Sequence, residues 1–308
     1  CSSLEEVIIS SPINSIKAFT FSECSSLKII TIPDSVISIG ANAFESCKSL
    51  QNLSIPSSVI FIGSNTFKRC QSLSEIVINS KEISIGSNAF KECSSLKMME
   101  ISSSSFCEKI EEFTFKNCSS LTHISLPDSL KEIGQHAFGG CTSLLEIKIP
   151  SSVTEIGAFA FCDCSSLSHV SIPCFLSVLN KYTFGGCSSL KEIEIPSSVV
   201  EIGNYCFGGC ISLLEINIPS SVKIIGSFAL NECKSLKKLT IPSSVTEIGN
   251  SAFSLCSSLT QVFILSSITE IKNHLFKGCS SLTQITIPSS VKSIGDWAFF
   301  ECSSLEEI

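Results

Sequence analysis

A cysteine returns every twenty-three residues in this chain, and that interval constrains the fold more than any other feature. Cysteines stand at 1, 24, 47, 70 and 93, then after one step of twenty-five at 118, 141, 164, 187, 210, 233, 256, 279 and 302. Each is followed three positions on by a leucine, from Leu4 to Leu305, and the frame reads C-S-S-L-x-x-I-x-I-P-S-S-V-x-x-I-G-x-x-A-F-x-x. Self-similarity at this length means one small structural unit used again and again. Such a unit cannot bury its apolar face alone, so neighbours must stack and share a core.

The frame can be read position by position. In LKEIEIP, Leu190, Ile193 and Ile195 alternate with Glu192 and Glu194, so the first set faces a core and the second faces solvent, as in a short strand. Proline closes it at Pro33, Pro56, Pro127, Pro150 and Pro196, because it has no amide to donate to a ladder. Ser-Ser-Val then turns the chain. In Ile202-Gly203 an inward side chain is followed by a residue free to take positive φ, and the xxAFxx segment has room for one helical turn. Phenylalanine holds its column from Phe21 to Phe299, broken only by Leu230.

A period in the twenties with a Leu/Ile strand signature is that of a leucine-rich-repeat solenoid. The expected fold is α/β: a horseshoe of 23-residue repeats, with a parallel sheet on one face and turns or short helical turns on the other. Residues 1–308 are expected to form a single solenoid domain of about thirteen repeats, irregular at 93–117. The first residue and the last both fall inside a repeat, which predicts a piece of a longer protein without its caps, whose open strand edges would permit end-to-end association.

Composition excludes several functions. The net charge is −7 with both signs interspersed, so there is no basic footprint for nucleic acid or an anionic membrane. No apolar run reaches the roughly 18 residues of a membrane span, and CSSLEEVIIS lacks the features of a signal peptide. The repeat cysteine is expected to be a small buried hydrophobe, since parallel stacking points neighbouring side chains the same way. Four cysteines lie off the beat. Cys206 replaces the alanine of an Ala-Phe pair, Cys162 and Cys174 flank a strand, and Cys107 is expected to be exposed with Phe106 in a loop made by the two extra residues at 93–117.

Candidate chemistry is sparse. Cys162, Cys164, His169 and Cys174 approach a zinc-knuckle spacing, but the frame puts a strand through the middle, which spreads rather than gathers them. Stacking brings His123, Glu146, His169 and Glu192 into one outward column, where carboxylate beside imidazole could do acid–base work but a solvated charge ladder is the plainer reading. The Gly-Gly pairs that begin at Gly139, Gly185 and Gly208 read as turns. No nucleophile with a matching base stands out, and no metal or other cofactor is implied. The outward strand positions vary most from repeat to repeat, and variation marks what packing leaves unconstrained. The candidate protein-binding residues are His123, Glu146, Lys148, His169, Glu192, Glu194, Glu215 and Asn217, an acidic stretch suited to a partner with a basic or mixed face.

The strings CSSLKEIEIPSSVVEIGNYCFGGC and CSSLTQITIPSSVKSIGDWAFFEC resemble the leucine-rich repeats of the BspA-like (Treponema pallidum type) family, and the resemblance covers the whole chain. It implies surface or secreted proteins of oral bacteria and of protists such as trichomonads, which adhere to host cells and bind matrix proteins such as fibronectin. The motif is structural, so it transfers a fold more firmly than a ligand. An intracellular scaffold or regulatory interaction domain is the alternative, and it suits many unpaired cysteines. Departures are local: Asn79, Ser102 and Leu265 replace proline, and Lys17, Glu111, Asn180 and Lys272 replace glycine, so turn geometry should change there.

Overall fold

A computed structural model describes residues 1–308, which divide into two compact units, Cys1–Ala160 and Phe161–Ile308. Each is a parallel solenoid, and every repeat carries the same inward set. Its repeat leucines, Leu27 to Leu282, are fully buried, and the Phe column is buried beside them. In the first unit, rings from Phe21 to Phe138 stack at 5.3–5.5 Å. In the second, Phe161, Phe184 and Phe207 stack at 5.6–5.8 Å, as do Phe253, Phe276 and Phe299 at 5.6–5.7 Å.

Two ladders run through the repeats. The first is the expected strand. In the first unit it pairs Glu6–Ile8 with Ile29–Thr31, and Glu75–Ile78, Met98–Ile101 and His123–Ser125 in register. In the second unit it joins Lys238–Ile241, Gln261–Ile264 and Gln284–Ile285. The segment around Glu192 is weaker than expected: only an isolated bridge between Glu194 and Asn217 forms there.

The second ladder, which the sequence reading did not anticipate, uses the two residues before the repeat-glycine position, most often Ser-Ile or Glu-Ile. In the first unit it forms two sheets: Ser15–Ile16, Ser38–Ile39, Phe61–Ile62 and Ser84–Ile85, then Lys109–Ile110, Glu132–Ile133 and Glu155–Ile156. In the second unit the sheets are Val178–Leu179, Glu201–Ile202, Ile224–Ile225 and Glu247–Ile248, then Glu270–Ile271 and Ser293–Ile294. Glycine governs this ladder, for a reason other than positive φ. A β-carbon on Gly40, Gly63, Gly86, Gly134, Gly157, Gly203, Gly226, Gly249 or Gly295 would stand 2.2–2.8 Å from atoms of the preceding repeat. Each of these glycines donates its amide to the Ile or Leu carbonyl one repeat earlier, at 2.7–2.8 Å. Every one of the four sheets opens on a repeat that lacks the glycine, at Lys17, Glu111, Asn180 and Lys272. At Glu111 and Lys272 a side chain stands where the close approach needs glycine, and pairing restarts one repeat later.

The xxAFxx segment is not a helical turn, and the chain contains no α-helix. Two residues per repeat, five and one before the cysteine, take left-handed conformation, as at Asn42 (φ 58°) and Ser46 (φ 61°). Alternate amides therefore point along the stack. Asn42, Phe44 and Ser46 donate to Ser64, Thr66 and Lys68 of the next repeat, while Ala43, Glu45 and Cys47 close local turns to residues three earlier. A continuing helix would have turned such amides to carbonyls four residues back in the same segment. The Gly-Gly pairs serve the same turn. Gly140, Gly186 and Gly209 take φ of 76°, and a β-carbon on Gly185 would lie 2.9 Å from the Tyr182 ring that folds over it.

The repeat cysteines are buried from Cys24 to Cys279, as expected, and all are free thiols. Many of them have a partner the sequence reading missed. The Sγ of Cys47, Cys70, Cys93, Cys118, Cys141, Cys187, Cys210, Cys233 and Cys279 donates to the carbonyl of the Phe column one repeat earlier, at 3.0–3.4 Å, and that of Cys256 to Leu230. Cys107 corrects an expectation: it is only 2% exposed. The insertion is pinned by Phe106, whose amide donates to Lys81 and whose carbonyl accepts from Ile83, and by Ser105, whose hydroxyl donates to Ser80 at 2.6 Å. Phe106 itself stands exposed.

Candidate functional site

The outward positions of the first strand form the candidate site, because period-two alternation buries Ile147, Val170, Ile193 and Ile216 and leaves their neighbours in solvent. In the first unit His123, Glu146 and Lys148 are all exposed, and the ring of His123 contacts the hydroxyl of Thr122 at 3.0 Å. In the second unit His169, Glu192, Glu194, Glu215 and Asn217 are exposed.

The second unit gathers its residues into a shaped surface. His169, Glu192, Glu194, Glu215 and Asn217 line a shallow hollow of about 850 Å³, with Lys238 and Thr240 at its far side and Cys174 at its rim. A second hollow of about 700 Å³ shares Glu192, Glu215 and Lys238 and adds Ser168, Lys191, Leu214 and Lys237. The sequence reading missed Lys191, Leu214 and Lys237, which sit one position before the predicted outward column. The available signal was the doublet Leu213-Leu214, since only one of two consecutive strand residues can face the core.

Ion pairs form at a few places elsewhere on the surface, as between Lys109 and Glu111 at 3.3 Å and between Lys109 and Glu132 at 3.0 Å. Glu192, Glu194, Glu215, Lys191, Lys237 and Lys238 form no ion pair within 4.0 Å, so their charges face solvent uncompensated.

The zinc-knuckle residues are spread along the chain. Cys164 is buried, Cys162 is half-buried and donates to Asp163 at 3.3 Å, His169 points out from its strand, and Cys174 is exposed beyond it. Deep burial keeps four of the repeat thiols from ionising. Burial pushes Cys93, Cys141, Cys210 and Cys256 up to about 12, far from the thiolate that reactivity requires.

Stacked hydrophobic layers beneath an open parallel sheet define a leucine-rich-repeat protein, a fold of protein-interaction modules rather than of a catalytic family. The chain belongs to the BspA type leucine rich repeat region family, whose six copies match residues 1–107, 108–227 and 177–306. Among solved structures, a leucine-rich repeat protein from Bacteroides ovatus is 36% identical with a TM-score of 0.69, over 89% of this chain and 70% of that one. A leucine rich cell surface protein from Faecalibacterium prausnitzii is 27% identical with a TM-score of 0.62, over 99% of this chain and 87% of the other. A leucine-rich repeat protein from Eubacterium ventriosum, 24% identical with a TM-score of 0.60 over 99% and 84% of the two chains, shares the fold. No curated protein matches the chain. No helix is long and apolar enough to cross a membrane.

Proposed function

We propose that this chain is the non-enzymatic binding module of a cell-surface antigen or adhesin, which engages a host-cell or extracellular-matrix protein through the exposed face of its first ladder. The observation that carries this reading is the set of exposed carboxylates gathered on that face at Glu192, Glu194 and Glu215, beside His169. Charges kept in solvent without partners cost little there and become complementary to a basic or mixed surface on contact. The likeness to a cell surface protein of F. prausnitzii supports the location. Immobilised fibronectin is the first ligand to try. The wild-type chain should bind it in a salt-sensitive manner, and the triple variant Glu192→Lys, Glu194→Lys, Glu215→Lys should bind at least tenfold more weakly. Equal binding by the two would remove the face from the reading.

The eighteen free thiols favour a second reading, an intracellular scaffold or regulatory interaction domain in a reducing compartment. Protease treatment of intact source cells separates the two, since a surface protein is cleaved and an interior one survives.

A further inference from the structure

Along the rim of the sheet face in the unit Phe161–Ile308, the fourth position after the repeat cysteine is Ser168, Lys191, Lys237, Thr260, Thr283 and Glu306, but in the repeat that starts at Cys210 it is Leu214. A single exposed leucine is ordinary. Leu214 differs in its setting: it is 49% exposed beside a fully buried Leu213 that already fills the core position, and it lines a hollow whose other walls are charged except for Ser168. Lys191 and Lys237 flank Leu214 on the rim, and Glu192, Glu215 and Lys238 stand one position further in, so the two carboxylates face the lysines across the apolar centre.

An apolar centre ringed by charged groups is the layout of an interface anchor, because the surrounding contacts keep water from the centre. The charges also restrict what can cover it. An amphiphile with one anionic head would satisfy the lysines but leave Glu192 and Glu215 desolvated and unpaired, which is costly. A purely basic segment would strand the lysines for the same reason.

We propose that Leu214 is the anchor of this binding face, and that its partner is a protein segment carrying an apolar side chain between an acidic and a basic group. The acid meets Lys191 and Lys237, the apolar group covers Leu214, and the base meets Glu192 and Glu215. This rests on the reading that the face binds protein.

The test uses the full chain and fluorescence anisotropy with synthetic twelve-residue peptides: one with an acidic half, a central Phe and a basic half, one with Ser in place of the Phe, one all-acidic and one all-basic, with laurate as a competitor. The mixed-charge Phe peptide should bind at least tenfold more tightly than the others. Leu214→Ser and the double variant Lys191→Glu, Lys237→Glu should each lose at least tenfold, with melting temperatures unchanged because these side chains are exposed. Failure of the mixed peptide to bind, preference for a single-sign peptide, displacement by laurate, or indifference to Leu214→Ser would overturn the proposal. So would a dimer of the wild-type chain that Leu214→Ser abolishes, since the occupant would then be a second copy. If fibronectin binding responds to the triple Glu→Lys variant but not to Leu214→Ser, the anchor fails while the broader reading stands.

Discussion

The α-carbon of Gly249 lies so close to the preceding turn that a β-carbon on it would stand 2.2 Å from the backbone nitrogen of Ser227. That approach lets the Gly249 amide reach the carbonyl of Ile225 at 2.8 Å and carries the second ladder across the repeat boundary. Gly249→Ala must push two repeats apart, at a cost of about 1–3 kcal/mol, read as a lower urea midpoint. The reverse change, Lys272→Gly, should let Glu270–Ile271 join the sheet that ends at Glu247–Ile248, with slower amide exchange at Ile271 as the readout.

Thiol accessibility follows burial. Cys1 and Cys174 should react at once with a small disulfide reagent in the native protein, Cys162 and Cys302 more slowly, and the fourteen buried cysteines only on unfolding. Rapid labelling of Cys107 would show that the insertion is not pinned by its bonds to Lys81 and Ile83.

The same burial makes the protein sensitive to alkali. Desolvation raises thiols such as Cys141 and Cys210 from the ordinary value of 9.0 to about 12, so above pH 9 the unfolded chain loses thiol protons that the folded chain keeps. Stability is therefore full below about pH 9 and falls between about 9 and 12, by up to about 1.4 kcal/mol per pH unit for each such thiol. Urea midpoints should drop steeply across that window, and replacing Cys141 and Cys210 with alanine should flatten the slope.

Phe67 is fully buried between Phe44 and Phe90, at 5.4 Å from each. Phe67→Ala should cost about 3–5 kcal/mol. Phe67→Leu should cost much less, because Leu230 already fills the same column in another repeat with no exposure. Equal losses in the two variants would mean that ring stacking, rather than volume, holds the column.

Acid should weaken one partly buried pair. Burial pushes Glu45 up, but hydrogen bonds from Asn42 and Lys68 outweigh it and hold the carboxyl below its ordinary value. Its contribution is present above the unfolded carboxylate range and is lost as pH falls through the lowered value. Glu45→Gln should cost under about 1 kcal/mol at pH 7, and the difference between variant and wild type should shrink as pH falls below the ordinary carboxylate range, as checked by paired denaturation curves.

The inward set was legible because one strand period and one repeat period decide it together: Leu190, Ile193 and Ile195 are all buried, as their spacing requires. Glu192 and Glu194 were legible as outward for the same reason. The turn was misread because Ala-Phe in a short polar frame fits one helical turn equally well, and only the pairing of Phe44 with Thr66 shows where its amide goes. The repeat glycine was recognised, but its reason was not, since a collision with the previous repeat does not exist within a single repeat.

By itself, then, the order of residues determined the period, the side that faces the core and the residues that remain in solvent, because burial recurs at the spacing of the chain. Only the tertiary structure decided which amides join neighbouring repeats, where the second ladder must restart, and that Leu214 stands bare between Lys191 and Lys237. Each of those depends on side chains a full repeat apart in sequence, which meet only after the layers have stacked.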